Sequence, residues 1–315
     1  MEQEGPKVRL LKAGEEDAGQ RLDNFLFRTL KGVPKSHVYR LLRTGQVRVN
    51  KRRAKPDYRL EAGDELRLPP VRQEAKAAPG LSPHWQQEAL KTSIIFEDDR
   101  LLVINKPAGM AVHGGSGVSF GVIETLRVLR PESPSIELAH RLDRETSGCL
   151  IVAKRRSMVR VLHAAFREGR VEKRYLALLA HAWTGGEQTV DLPLEKNLLQ
   201  GGERMVKVSR EGKEAKSLFR PMQKFADSAL LEIRIFTGRT HQIRVHAAHI
   251  GHPVAGDEKY GEKEANKGFK AVGLKRMFLH AAELAFEHPE TGERLALKAP
   301  LDDELEAVLL NLGRS

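Results

Sequence analysis

The chain is poor in cysteine and in aromatic residues: Cys149 is its only thiol in 315 residues, and Phe, Trp and Tyr together make up 5%. One thiol excludes an intrachain disulfide framework and any multi-cysteine zinc or iron–sulfur site, and it suits a reducing compartment. No uninterrupted apolar run approaches the roughly 18 residues of a membrane span. The longest candidates, such as Tyr175 to Ala180, stop at a histidine or a charge. The opening Met1-Glu2-Gln3-Glu4 is acidic with no apolar stretch behind it, so no secretory leader is expected. Also missing are a phosphate loop ending in Gly-Lys-Ser/Thr, the Gly-x-Gly-x-x-Gly dinucleotide fingerprint and the Gly-x-Ser-x-Gly nucleophile elbow. The expectation is a cytoplasmic protein with no membrane attachment and no nucleotide cofactor.

What the chain does have is positive charge. The net charge is +11, with 53 Lys and Arg against 42 Asp and Glu. Between Lys31 and Arg59, ten Lys or Arg stand against a single acid, Asp57. So dense a local excess repels itself unless a polyanion is often present, and nucleic acid is the favoured partner over a merely solvated basic face.

Two blocks and a joint follow from patterning. Leu22, Phe25, Leu26 and Leu30 recur at helical spacing. Pro34 and Ser36 are expected to start and cap a second short helix with Val38, Leu41 and Leu42 inward, and Gly45 to stop it. Val47 and Val49 alternate with Arg48, and Leu66 and Leu68 with Arg67, as half-buried strands do. Residues 1–70 thus read as a small binding unit, and the proline-containing 71–90 as a linker. From 91 to 315, β-rich runs (Ile94-Ile95, Leu101 to Ile104, Leu150 to Val152, Val206 with Val208, Leu230 to Ile235) alternate with helical ones (Gly121 to Leu129, Met158 to Phe166, Gln242 to His249). The expected class is α+β, a mixed but mainly antiparallel sheet.

Chemistry-bearing candidates are few. His113-Gly114-Gly115-Ser116-Gly117 has a lipase-like look, but without an elbow a glycine-rich turn is the better reading. His241, His246, His249 and His252 have spacings open to a metal, yet Arg239 and Arg244 among them oppose a cation, so hydrogen bonding and no metal are expected. The segment from Ala139 to Gly148 is a polar loop running into an apolar strand, where catalytic groups often sit. Asp143 there has Arg141 and Arg144 nearby in sequence, surroundings that favour its ionised form. On spacing alone, an ordinary turn ion pair is the favoured reading.

Residues 20–68 resemble the alpha-L RNA-binding domain of small-subunit ribosomal protein four, through Arg21-Leu22-Asp23, Ser36, Leu41-Leu42, Gly45, Val47, Val49-Asn50 and Gly63-Asp64. His140-Arg141-Leu142-Asp143 with Thr146-Ser147-Gly148 resembles the signature of the pseudouridine synthases of ribosomal and transfer RNA. Asn105 to Gly109, Lys173 to Ala177, Thr237 to His246, Gly251-His252-Pro253 and Leu279-His280-Ala281 match further blocks in order. Leu194 to Gly212 narrows the resemblance to members acting on several uridines of 23S ribosomal RNA. The resemblance implies the pseudouridine synthase fold, a cofactor-free isomerisation, and a monomer meeting 23S RNA, free or in precursor large-subunit particles. It implies Asp143 as the reacting carboxylate, Arg244 as its cation and Tyr175 as the aromatic on the uracil. His140 and Arg239 fall at the site, Arg239 as an RNA contact, and Ile243 and Leu279 as its apolar walls. Arg141 would fill the gap left by the flipped base, unless it is bound to Asp143. Lys35, Arg40, Arg43, Lys51, Arg52 and Arg53 would meet phosphates. A non-catalytic RNA-binding assembly factor on the same scaffold is the alternative; the set Asp143, Tyr175 and Arg244 argues against it.

Overall fold

The computed structural model describes residues 8–30, 32–71, 82–115, 120–133, 135–198 and 204–314. Lys31, Ser116 and Gly201-Gly202-Glu203 lie outside the described residues, as does most of the expected linker. The chain divides into two units, Met1–Leu81 and Ser82–Ser315.

In the first unit, β1 (Arg9–Lys12), α1 (Leu22–Thr29), α2 (Lys35–Arg43), β2 (Arg48–Val49) and β3 (Glu65–Leu68) form an antiparallel sheet of order β1-β3-β2 with two helices. Leu22, Leu26 and Leu30 stack one above another along one face and are fully buried with Val38, Leu60, Leu66 and Leu68. Helix α2 begins differently from the expectation. Its N-cap is Pro34, whose extended backbone supplies the entry, and no side chain caps it; Ser36 lies exposed inside the first turn. Gly45 does end the helix turn, at φ +70°, and a Cβ there would meet the Arg53 side chain at 2.5 Å. Strand β2 returns through a tight turn in which Asn50 and Lys51 both have positive φ, 47° and 66°. Asparagine tolerates this conformation. Its amide donates to Asp64 Oδ1 at 2.7 Å and its carbonyl accepts from the Glu65 N–H at 2.9 Å. The buried Asp64 thereby fixes the turn that presents Lys51 and Arg52.

The second unit begins with α3 (His84–Thr92), so the linker does not extend to residue 90. Leu90 is fully buried in the core of this unit and Gln86 accepts from the Thr125 hydroxyl at 3.2 Å, contacts that linker composition does not reveal. There follow β4 (Ile94–Glu97), β5 (Leu101–Lys106), α4 (Val122–Leu129), β6 (Glu137–Leu138), β7 (Ser147–Ala153), α5 (Arg156–Arg167), β8 (Glu172–Ala180) and β9 (Gln188–Asp191). The hairpin β10 (Leu194–Leu198) and β11 (Arg204–Val208) precedes β12 (Lys216–Lys224) and β13 (Ser228–Ile235). Helices α6 (Gln242–His249) and α7 (Lys263–Ala271), strands β14 (Leu279–Glu287) and β15 (Arg294–Lys298), and α8 (Asp303–Leu312) complete the chain.

One large sheet runs β4-β5-β7-β14-β8-β13-β12-β9, with β6 on β7 and β15 on β14. Every pairing is antiparallel except β7 with β14, so the class is α+β with a mainly antiparallel mixed sheet. Strands β5 and β7 are covered on both faces. Leu102, Ile104, Leu150 and Val152 join a core with α3 and α4, whereas Leu101, Val103, Cys149 and Ile151 join one with α5. Burial on both sides explains their continuous apolar runs. The β7–β14 contact is unusually close: Gly148 has φ +109°, and a Cβ on it would meet the Ala281 carbonyl oxygen at 2.3 Å. Only glycine fits, and this close approach lies directly after the Asp143 loop.

Candidate active site

The Asp143 loop enters β7, and the neighbouring central strands complete the site. Tyr175 lies on β8, opposite Ile233 of β13. Leu279 opens β14 opposite Ala177, and the turn after Ile235 leads into α6. Alternation along these strands points Tyr175 and Ile235 to one face. The result is a cleft lined by Arg141, Asp143, Tyr175, Arg239, Ile243, Arg244 and Leu279, together with Leu142, Thr146, His241 and Gln242. Residues separated by more than a hundred positions in sequence thus share one pocket.

His140 is the expected site residue that does not line it. Its ring packs on Phe166 of α5, with centroids 4.6 Å apart, and its Nε2 accepts the Ile151 N–H at 3.0 Å. Burial takes its pKa down to about 3, so it is a neutral acceptor holding the loop to β7.

Asp143 is not held by the arginines beside it in sequence. Arg144 donates to the Gly109 carbonyl at 2.9 Å and lies 3.5 Å from Glu145, while Arg141 is exposed at the cleft with no ion pair among the described residues. The cation facing Asp143 comes from α6: Arg244 Nη1 lies 3.7 Å from Asp143 Oδ2. Arg244 is itself clamped by Asp257, Nε to Oδ2 at 2.6 Å and Nη2 to Oδ1 at 2.8 Å. Its guanidinium carbon also sits 4.9 Å from the centre of the Tyr260 ring. The Asp257 side chain is fully buried; Oδ1 also accepts from the Lys259 and Tyr260 amides. Burial alone would raise the Asp257 pKa, but the hydrogen bonds and charge of Arg244 carry it below the usual carboxylate value. A planar, fixed cation therefore stands beside Asp143.

Tyr175 is 8% exposed and makes no hydrogen bond among the described residues. Burial, and then the nearby Asp143 charge, push its pKa upward, so the phenol stays protonated. An aromatic ring at the wall of a cleft that also holds a carboxylate offers a flat apolar surface beside a charged group.

The turn from Thr237 to His241 is held from within. Gln242 Oε1 accepts from the Thr237 hydroxyl at 2.7 Å and the Arg239 N–H at 3.0 Å, and its amide donates to Lys216 O and Ser217 Oγ, each at 3.0 Å. Arg239 is exposed, with Nε donating to the Glu214 carbonyl at 2.9 Å. Of the other histidines of this stretch, His246 bonds to Ser217 Oγ and the Leu192 carbonyl and His252 to the Ala180 carbonyl, while His249 has no side-chain hydrogen bond among the described residues. No group of three or more potential metal ligands occurs among the described residues. Behind the loop, the fully buried Lys106 donates to the carbonyls of Pro107 (2.7 Å), Met110 (2.9 Å) and Arg144 (3.1 Å), tying the Asp143 loop to the end of β5.

Sequence reasoning missed Asp257, Tyr260 and His241 as parts of the site. The available signal was electrostatic: an arginine on a helix that has no acid of its own needs an acid partner, and Asp257 is among the nearest in sequence. In the first unit, Lys35, Arg40 and Arg43 on α2, and Lys51, Arg52 and Arg53 on and after the tight turn, are all exposed. None of the six has an ion-pair partner among the described residues, while Lys35 also lies 5.3 Å from the centre of the Phe27 ring.

A loop carboxylate at the head of a central strand, a clamped arginine and a buried tyrosine thus meet in one cleft on a mainly antiparallel sheet. The chain belongs to the RNA pseudouridylate synthase family, matching it over residues 100–249, and residues 20–66 match the S4 domain. It is 53% identical over 312 residues to ribosomal large subunit pseudouridine synthase C of Salmonella typhimurium, spanning 98% of each chain. The Escherichia coli (strain K12) protein of the same name is 52% identical over 315 residues, 99% of each. Among solved structures, human RNA pseudouridylate synthase domain containing 4 covers 72% of this chain and 95% of its own, with a TM-score of 0.61 and 27% identity.

Proposed function

We propose that the chain converts several uridines of 23S ribosomal RNA to pseudouridine, with Asp143 as the reacting carboxylate. The observation that carries the reading is the Asp143–Arg244–Asp257 array in the cleft beside Tyr175. Near-full-length similarity to large-subunit pseudouridine synthases supports the RNA target.

The reaction breaks the bond between N1 of uracil and C1′ of ribose, turns the detached ring, and joins C5 to C1′. The hydrogen on C5 then leaves, and N1 gains one. No electrons are gained or lost overall, so the conversion calls for no cofactor. Asp143 acts at the sugar while Arg244 holds it oriented. Tyr175 stacks on the uracil and aids removal of the C5 proton; Ile243 and Leu279 wall the ring. Flipping the uridine out of the RNA costs a few kcal/mol. Arg141, exposed and without an ion pair among the described residues, fills the gap, while Arg239 holds the neighbouring backbone. The first unit supplies affinity through Lys35, Arg40, Arg43, Lys51, Arg52 and Arg53. The protein works as a cytoplasmic monomer, without a metal, on 23S RNA either free or in precursor particles.

Carbodiimide labelling with primer extension on 23S transcripts, incubated with purified protein and no cofactor, tests this. New stops with the wild type and none with Asp143→Asn are expected. No stops on either transcripts or precursor particles would leave a binder, not an enzyme.

A further inference from the structure

Asp143 is approached by two protein side chains. Arg244 Nη1 at 3.7 Å and His241 Nε2 at 3.8 Å both have Oδ2 as their nearest carboxylate oxygen. These are ion-pair separations, of the kind that close to hydrogen bonds when a substrate is bound. His241 reaches this position from a left-handed backbone, φ 55° and ψ 20°, at the N-cap of α6. Such a conformation is uncommon for residues other than glycine, though histidine adopts it more readily than most, and it persists where the surroundings favour it.

The other face of the ring explains what His241 presents to the carboxylate. The Val206 N–H donates to the Tyr260 hydroxyl oxygen at 3.0 Å, which leaves the hydroxyl proton to be donated elsewhere. His241 Nδ1 lies 2.8 Å from that oxygen. Where Nδ1 accepts that phenol proton, the neutral imidazole bears its own proton on Nε2, facing Asp143. Tyr260 is in turn placed by Asp257, which accepts its backbone N–H at 3.1 Å while clamping Arg244. One buried carboxylate thus organises both arms that reach Asp143.

We propose that His241, locked by Tyr260 as the Nε2–H tautomer, is a positioning residue that shares with Arg244 the approach to Oδ2 of Asp143. This rests on Asp143 being the reacting carboxylate. A neutral donor is well matched to that role, because it fixes the rotation of the carboxylate without the loss of basicity a second cation would impose. Burial, opposed by the Asp143 charge, holds the His241 pKa below the ordinary histidine value and keeps the ring neutral. His246 and His280 differ, since each spends a ring nitrogen on a backbone carbonyl.

The test is the tautomer itself. In long-range proton–nitrogen correlation spectra of the full chain labelled with 15N-histidine, the His241 signals are identified by their loss in His241→Asn. Wild type at pH 7 should show a protonated Nε2 and a bare Nδ1, and Tyr260→Phe should show a mixture of tautomers. On RNA, Tyr260→Phe should lower kcat by about fivefold, the worth of one hydrogen bond, with KM unchanged. An imidazolium or an Nδ1–H ring in the wild type overturns the proposal, as does a Tyr260→Phe variant with unaltered spectrum or kcat. Because the spectra need no turnover, a wild type without activity would count against Asp143 chemistry and leave the tautomer result standing.

Discussion

Replacing Asp257 by asparagine keeps the shape of the side chain and removes its charge. The consequences follow from its four contacts. Arg244 donates to both carboxylate oxygens, and the Lys259 and Tyr260 amides donate to Oδ1. An asparagine can turn its oxygen toward the two amides, which sets its NH2 group against Arg244 Nε, or toward Nε, which sets the NH2 against the amides. Either way a donor faces a donor, in a place where the side chain has no exposure and Arg244 only 11%. Removing one partner of such a buried pair costs about 3–5 kcal/mol. At roughly 2–4 °C per kcal/mol for a unit of this size, Tm should fall by on the order of 10 °C. Freed of its clamp, Arg244 should also lose its fixed placement beside Asp143, and kcat should drop. Circular dichroism melting measures the first effect. A second variant sharpens it: Asp257→Asn combined with Arg244→Met leaves no unpaired buried charge and should be more stable than Asp257→Asn alone. A single variant melting within about 2 °C of wild type, or a double variant less stable than it, would refute the clamp.

Other perturbations probe separate parts. Tyr175→Phe should lower kcat by about 10² or more while leaving RNA affinity within threefold, measured by single-turnover assay and filter binding. Changing Arg40, Arg43 and Arg52 together to glutamine should weaken RNA binding and flatten the log–log salt slope by about one per charge removed, with chemistry on bound RNA unaltered. His140 titrates at about 3 in the fold, against about 6.5 unfolded, so the unfolded chain takes up this proton first as acid is added. Its contribution is complete above pH 6.5 and is lost as pH falls toward 3. His140→Gln, which keeps an acceptor for Ile151 N–H, should lose less Tm than wild type between pH 7 and 5.

Much of this fold is written locally. Leu22, Leu26 and Leu30 mark one helix, Gly45 ends the next, and the unbroken apolar runs of β5 and β7 announce strands covered on both faces. Strand β1, with Leu10 76% exposed, has too little apolar alternation to be read without its partner β3. Helix α3 hides in linker-like composition because its evidence is tertiary: Leu90 against the core and Gln86 against Thr125. The site divides the same way. Asp143, Tyr175 and Arg244 stand in ordered motifs, whereas the support behind them is spatial. Neither the clamp from Asp257, the His241–Tyr260 contact nor the anchoring of the Asp143 loop by Lys106 has a spacing rule in sequence. His140 shows the converse: it sits in the motif yet faces α5 rather than the cleft.

Joining C5 of the base to C1′ must release the hydrogen on C5, so tritium release from 23S transcripts carrying 5-tritiated uridine follows the proposed chemistry directly. Wild type without added cofactor should release tritium to solvent under single-turnover conditions. Asp143→Asn should bind the same RNA with similar affinity and release none above background. Release by Asp143→Asn at a rate comparable to wild type would contradict the assignment of Asp143 as the reacting carboxylate.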